Sequence, residues 1–120
     1  MANILIVDDK ASMRSMLREA LAAQGHKARV AAGGSEALVA LKKQPADLVL
    51  TDLKMPGLDG LELTREVKAR WPETAVVVMT AFGGVEDAVE AMRLGAANFL
   101  AKPFSLGALK VILDLSLIHI

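Results

Sequence analysis

The sequence predicts a doubly wound α/β fold: five parallel strands in one open sheet, with helices on both faces. Three observations lead there. Short apolar runs alternate with helical periodicity about five times along the chain. The runs at 48–51 and 75–79 are apolar almost throughout, as central strands covered on both faces must be. No composition shift, repeat or low-complexity linker divides the 120 residues, so the alternation belongs to one domain, long enough to bury a core. Right-handed crossovers between the parallel strands then wind the chain onto both faces of the sheet.

The elements follow in order. Asn3-Ile4-Leu5-Ile6-Val7 reads as the first strand. Met13, Met16, Leu17, Ala20 and Leu21 make an i, i+3, i+4, i+7, i+8 stripe, and Gly25 closes that helix as its C-terminal cap. A second apolar run at 27–31 precedes a helix capped by Ser35, burying Leu38 and Leu41 and stopped by Pro45. After the strand at 48–51, Asp59 and Glu62 stand at capping-box spacing and open a third helix with Leu63 and Val67, which halts before Pro72. After the strand at 75–79, Val85, Val89 and Met92 stripe a fourth helix closed at Gly95. The strand at 98–101 is followed by a fifth helix, capped by Ser105, with Leu109, Ile112 and Leu113 inward.

Composition narrows the function. Hydrophobic residues make up 53% of the chain, which is incompatible with disorder. Fourteen basic residues balance fourteen acidic ones, leaving no electrostatic footprint for nucleic acid or an anionic membrane. Without cysteine there is neither a disulfide framework nor a thiolate metal site. No stretch is long enough to span a bilayer, and Asp8 and Asp9 interrupt the short apolar run at the N-terminus. A soluble, cytoplasmic protein is expected.

The chemistry lies where the strands end. Asp8 and Asp9 follow the first strand, Asp52 the third, Thr80 the fourth and Lys102 the fifth. An open parallel sheet binds ligands outside the carboxyl ends of its strands. Three carboxylates crowded there repel one another. A divalent hard cation relieves the conflict, and oxygen ligands without Cys or His point to magnesium. Together with the N-terminus of the first helix and the Lys102 amine, such a site cradles a phosphoryl group. Asp52 is then the candidate nucleophile, and Thr80 offers a hydrogen bond. Each residue alone has an ordinary explanation as a turn, cap or surface residue; their combination at one rim carries the inference.

Other residues read more simply. His26 and His119 lack metal-ligand spacing. Gly33-Gly34 forms a turn, Gly83-Gly84 frees the loop behind Thr80, the methionines fill helix cores, and Trp71 packs at a helix end.

Val7-Asp8-Asp9, Thr51-Asp52-Leu53-Lys54-Met55-Pro56-Gly57 with Asp59-Gly60, Thr80-Ala81 and Lys102-Pro103-Phe104 together resemble the receiver domain of bacterial two-component response regulators, over about residues 3–113. The resemblance implies a flavodoxin-like sheet in the order 2-1-3-4-5. It implies that Asp52 is the phosphoacceptor. Asp9 would bind Mg2+ directly beside Asp52 and the Lys54 backbone carbonyl, with Asp8 contributing through water or hydrogen bonding. Thr80 would be the switch hydroxyl, Lys102 the phosphate contact and Phe99 the switch aromatic, here without the hydroxyl of the more frequent tyrosine. A cis peptide is expected between Lys102 and Pro103. Lys10 replaces a frequently acidic neighbour of Asp9. Lys54 and Phe82 lie where the family tunes phosphoryl lifetime.

The segment from Met79 to Met92 is similar to receivers of NtrC-type regulators, activators of sigma-54 promoters, in which an ATPase domain and a DNA-binding domain follow; this chain contains neither. A histidine kinase is the implied donor, and the face of fourth helix, fifth strand and fifth helix the implied homodimer and output surface. The expected protein is a switch rather than an enzyme. An Asp-nucleophile phosphatase would want a second acid in the nucleophile's own strand-end motif, and a cap domain. A flavodoxin would carry a glycine- or hydroxyl-rich phosphate loop after the first strand. A scaffold independent of phosphorylation would not require the complete acidic site.

The domain is expected to occupy residues 1–114. Leu115-Ser116-Leu117-Ile118-His119-Ile120 is expected to be a non-native apolar tail, similar to translated sequencing adapter. If the helix continues, Leu117 and Ile120 fall on the inner stripe, while Leu115 and Ile118 extend an exposed stripe begun by Val111.

Overall fold

The structure, a computed structural model, describes residues 2–81 and 84–118. Strand and helix alternate throughout: β1 (Asn3–Val7), α1 (Ala11–Ala23), β2 (Lys27–Ala31), α2 (Gly34–Lys43), β3 (Leu48–Asp52), α3 (Gly60–Arg70), β4 (Ala75–Thr80), α4 (Val85–Arg93), β5 (Asn98–Ala101) and α5 (Leu106–Leu117). The five strands form one parallel sheet in the order β2-β1-β3-β4-β5, the flavodoxin-like order. Val7 pairs with Thr51, Asp52 with Met79, and Thr80 with Ala101. This register brings Asp8 level with Asp52, Thr80 one residue beyond and Lys102 one further.

The sheet divides two cores. On one face Leu5, Val7, Val49, Val76 and Val78 pack against Leu41 of α2, Leu63 and Val67 of α3 and Ala91 of α4. On the other, Ile4, Ile6, Leu48, Leu50, Val77 and Met79 meet Leu17 and Leu21 of α1 and Leu109 and Leu113 of α5. Every residue of β3 and β4 is buried, as a central parallel strand requires. Each fully buried leucine or valine contributes about 1.5–3 kcal/mol relative to exposure.

Several helix ends follow the sequence. Gly25 at φ +88° and Gly95 at φ +110° supply the left-handed turns after α1 and α4. The Asp59 side chain accepts from the Glu62 amide at 2.9 Å, and Ser105 from Ala108 at 3.0 Å. The Lys102–Pro103 peptide is cis. Trp71 caps α3 and packs against the first core.

Four expectations need correction. The N-cap of α2 is Gly33, and Ser35 lies inside the helix; the Glu36 carboxylate accepts from the Ala32 amide and does the capping. Leu38 is only partly buried, and Met16 of α1 is exposed. Val85, Val89 and Met92 do not face the core: all three are exposed, and α4 buries Ala88 and Ala91 instead. The two stripes run side by side on the helix, and periodicity alone does not say which faces the sheet. α4 turns its small side chains, Ala88 and Ala91, to the protein interior.

α5 continues to Leu117. Leu115 and Ile118 are exposed, as expected, while Leu117 packs against the second core and the Ser116 hydroxyl donates to the Ile112 carbonyl. The expectations for Phe82, Gly83, His119 and Ile120 fall outside the described residues. Among the described residues no helix is long and apolar enough to cross a membrane.

Candidate functional site

Asp8 directly follows β1. Its amide extends the ladder to the Ala31 carbonyl at 3.2 Å, and its Oδ1 accepts from the Lys10 amide at 2.9 Å, turning the chain into α1. Arg14, one turn into that helix, donates through Nη1 to the Asp8 carbonyl at 2.7 Å. Asp52 is the last residue of β3. The ladder runs past it, with the Leu53 amide donating to the Met79 carbonyl at 3.1 Å. The buried Thr51 hydroxyl donates to the Asp52 carbonyl at 2.9 Å. Thr80 ends β4, and its carbonyl accepts from the Lys102 amide at 2.7 Å, which fixes where the lysine leaves β5.

The side chains converge. Lys102 Nζ lies 3.3 Å from Asp8 Oδ2 and 3.5 Å from Asp52 Oδ2. Asp8, Asp9 and Asp52 each offer a carboxylate oxygen, and these lie within 4.8 Å of one another. Asp8 is wholly buried, Asp52 nearly so, and Asp9 is exposed. Thr80 is buried beside them. Phe99 stands apart, 43% exposed, along a groove of about 160 Å³ whose walls include Thr80, Ala88, Val89 and Met92. The structure therefore gathers all three acids, the hydroxyl and the amine at one rim, and places Phe99 on the outer side of β5, linked to that rim through the groove.

Electrostatics set the demand. Burial pushes the Asp52 carboxyl above the usual carboxylate range, and neighbouring Asp8 pushes the same way; the Lys102 ammonium and the Lys54 backbone amide pull it back. One ammonium faces three carboxylates. This all-oxygen donor set, open at Asp9 and short of positive charge, fits a hard divalent cation. Asp8, Asp9 and Asp52 are, among the described residues, the carboxylates grouped closely enough to hold it.

The structural roles of three contributors escaped the sequence, although Thr51 and Gly60 stand in its motifs. Arg14 and Thr51 act on main-chain carbonyls, which leaves no motif; a hydroxyl interrupting an apolar strand just before Asp52 is the only trace. Gly60 is the third. A Cβ there would collide with the Asp52 carbonyl oxygen and stand 2.6 Å from Leu53 Cα, so the start of α3 lies directly against the backbone that carries Asp52.

A parallel five-stranded sheet in this order, with acids, a hydroxyl and a lysine at its carboxyl edge, is the arrangement expected of a receiver domain. The chain belongs to the response regulator receiver domain family, whose sequence pattern matches residues 4–114. It is 41% identical over 108 residues to the response regulator protein FleR of Pseudomonas aeruginosa, covering 90% of this chain and 23% of that protein. It is 36% identical over 116 residues to the DNA-binding transcriptional regulator NtrC of Salmonella typhimurium, covering 97% of this chain and 25% of that one. The receiver domain of NtrX from Brucella abortus superposes with a TM-score of 0.91 at 37% identity, covering 95% of this chain and 97% of that domain. These relatives bear out the likeness to NtrC-type receivers, and the chain spans about a quarter of the length of the curated ones.

Proposed function

We propose that the chain is a magnesium-dependent phosphoacceptor switch of a two-component system, charged on Asp52 by a histidine kinase. One observation carries this reading: Lys102 Nζ sits between the buried carboxylates of Asp8 and Asp52 at 3.3 and 3.5 Å. Asp52 is the nucleophile. Its carboxylate oxygen forms a bond to phosphorus as the bond from phosphorus to the kinase imidazole breaks, leaving an acyl phosphate here and a neutral histidine there. Lys102 shifts from the Asp8–Asp52 pair to the phosphoryl oxygens, and the Thr80 hydroxyl donates to one of them. Asp9, Asp52 and the Lys54 carbonyl hold Mg2+, which supplies charge neutralisation for the incoming phosphoryl group. Movement of Thr80 vacates the inner end of the groove beside Phe99, and the ring turns inward to fill it.

The surface of α4, β5 and α5 then changes its preference among partners, including a second copy of the chain. In the parent protein the output is transcription activation by ATPase and DNA-binding domains, in the cytoplasm. Support comes from the family and from relatives named as regulators.

Incubation with magnesium and a small acyl phosphate is expected to add one phosphoryl group, and a chelator to prevent it. In the same assay Asp9→Asn is expected to raise the magnesium concentration for half-maximal labelling by roughly tenfold or more, since losing even a hydrogen-bond partner of a metal ligand costs on that scale. In metal-free buffer it raises the melting temperature by a few degrees as like-charge repulsion falls. An unchanged magnesium titration removes Asp9 from the metal site, and the absence of any phosphoryl adduct on the wild-type chain overturns the reading.

A further inference from the structure

We propose that Lys54 and Asp87 form an electrostatic clasp that fastens the first turn of α4 to the loop after β3, and that Asp87 is thereby a positioning residue opposing the switched conformation. The inference rests on the phosphoacceptor reading for its second half only. Lys54 Nζ lies 3.2 Å from Asp87 Oδ2. Lys54 follows Asp52 by two residues, and Asp87 lies in the first turn of α4. The other ion pairs among the described residues either lie inside the acidic site, as with Lys102, or join residues three or four apart on one helix. Lys54–Asp87 is therefore, among the described residues, the surface pair that ties two separate elements together.

The helix it holds is weakly held otherwise. α4 buries two alanines and exposes Val85, Val89 and Met92. Among the described residues no side chain caps its start at Gly84. An element with so little buried apolar surface opens at low free-energy cost. A surface ion pair, here with Lys54 largely exposed, contributes little to global stability, but it ties down a turn that, among the described residues, no side chain caps. Phosphorylation of Asp52 exchanges its single carboxylate charge for the roughly two of an acyl phosphate, so the loop that carries Lys54 gains about one negative charge. That charge competes with Asp87 for the ammonium and repels Asp87 itself. Both effects release the first turn of α4.

The test combines amide hydrogen exchange of α4 in the unphosphorylated chain with the initial rate of labelling by a small acyl phosphate. At low salt, Asp87→Asn is expected to speed exchange at Ala88–Met92, and labelling, by about 1.5- to 5-fold. About 1 M salt erases both differences. In a Lys54→Gln background the same substitution has no further effect on exchange. Glu86→Gln, which removes a neighbouring first-turn charge without touching the pair, controls for the helix dipole and has the smaller effect. Wild-type exchange in Asp87→Asn, an equal effect of Glu86→Gln, or additivity with Lys54→Gln overturns the clasp. Faster, Lys54-dependent exchange with unchanged labelling keeps the contact and overturns its opposition to switching. Failure of the wild-type chain to label at all sinks the phosphoacceptor reading, while the exchange cycle still decides the clasp.

Discussion

Asp52→Ala is expected to abolish labelling of the chain by a small acyl phosphate, a loss of about a thousandfold or more in rate, because it removes the attacking atom rather than a group that assists it. Asp8 and Asp9 do not substitute for it. Asp8 is wholly buried, with its Oδ1 committed to the Lys10 amide, and Asp9 is exposed. Full-yield labelling of Asp52→Ala, with the adduct on another aspartate, would sink the assignment. The isosteric variant Asp52→Asn separates chemistry from stability. The folded-state carboxyl is shifted upward, chiefly by burial. An acid with a raised folded pKa binds its proton more tightly in the native state, so its ionisation weakens the fold as pH rises from the unfolded value through the folded one. In metal-free buffer Asp52→Asn should therefore melt higher than wild type at neutral pH, and the advantage should vanish below about pH 3.8, the unfolded value. An advantage that persists at acid pH would assign the gain to packing rather than to charge.

Gly60→Ala is expected to cost about 2–4 kcal/mol, lowering the melting temperature by roughly 8–16 °C. The added Cβ meets main chain, the Asp52 carbonyl and Leu53 Cα, and neither can rotate away as a side chain would. The Gly60 amide also donates to the Leu53 carbonyl at 2.9 Å, so the helix start cannot retreat without losing that bond. Because the displaced backbone carries Asp52, labelling should slow in the molecules that remain folded. Gly107→Ala is the control: its Cβ comes no closer than 3.8 Å to Ser105 Oγ, and alanine in place of glycine in α5 should be neutral or stabilising by up to about 1 kcal/mol. Equal melting temperatures for Gly60→Ala and wild type would refute the close approach.

The sheet was legible because a buried parallel strand has a one-dimensional signature. The apolar runs at 48–51 and 75–79 became β3 and β4, each a residue longer, and the added residues are Asp52 and Thr80. The rim followed from the same signature, since it consists of whatever stands where the runs stop. Helix orientation was less accessible. Val85, Val89 and Met92 carry more apolar surface than Ala88 and Ala91, yet the alanines are the buried side chains, and periodicity alone does not choose between two adjacent stripes. The cap of α2 was misplaced for a related reason: a serine beside two glycines looks like a cap until Glu36 reaches back to do that work. Arg14, Thr51 and Asp87 act through main-chain carbonyls or an ion pair between separate elements, and neither has a local spacing to be read.

Asp8 and Lys102 are 94 positions apart along the chain, yet their side chains touch. Between them the polypeptide must lay down four of the five strands, which take their places in the sheet in an order that is not the order of synthesis. A nascent or clipped chain that lacks β5 therefore still presents Asp52 but not the ammonium that offsets its neighbours. Competence to be charged is in this sense a certificate of completed folding. On the reading proposed above, a fragment without β5 should be a poor acceptor of phosphoryl groups, because it lacks the ammonium that faces Asp8 and Asp52.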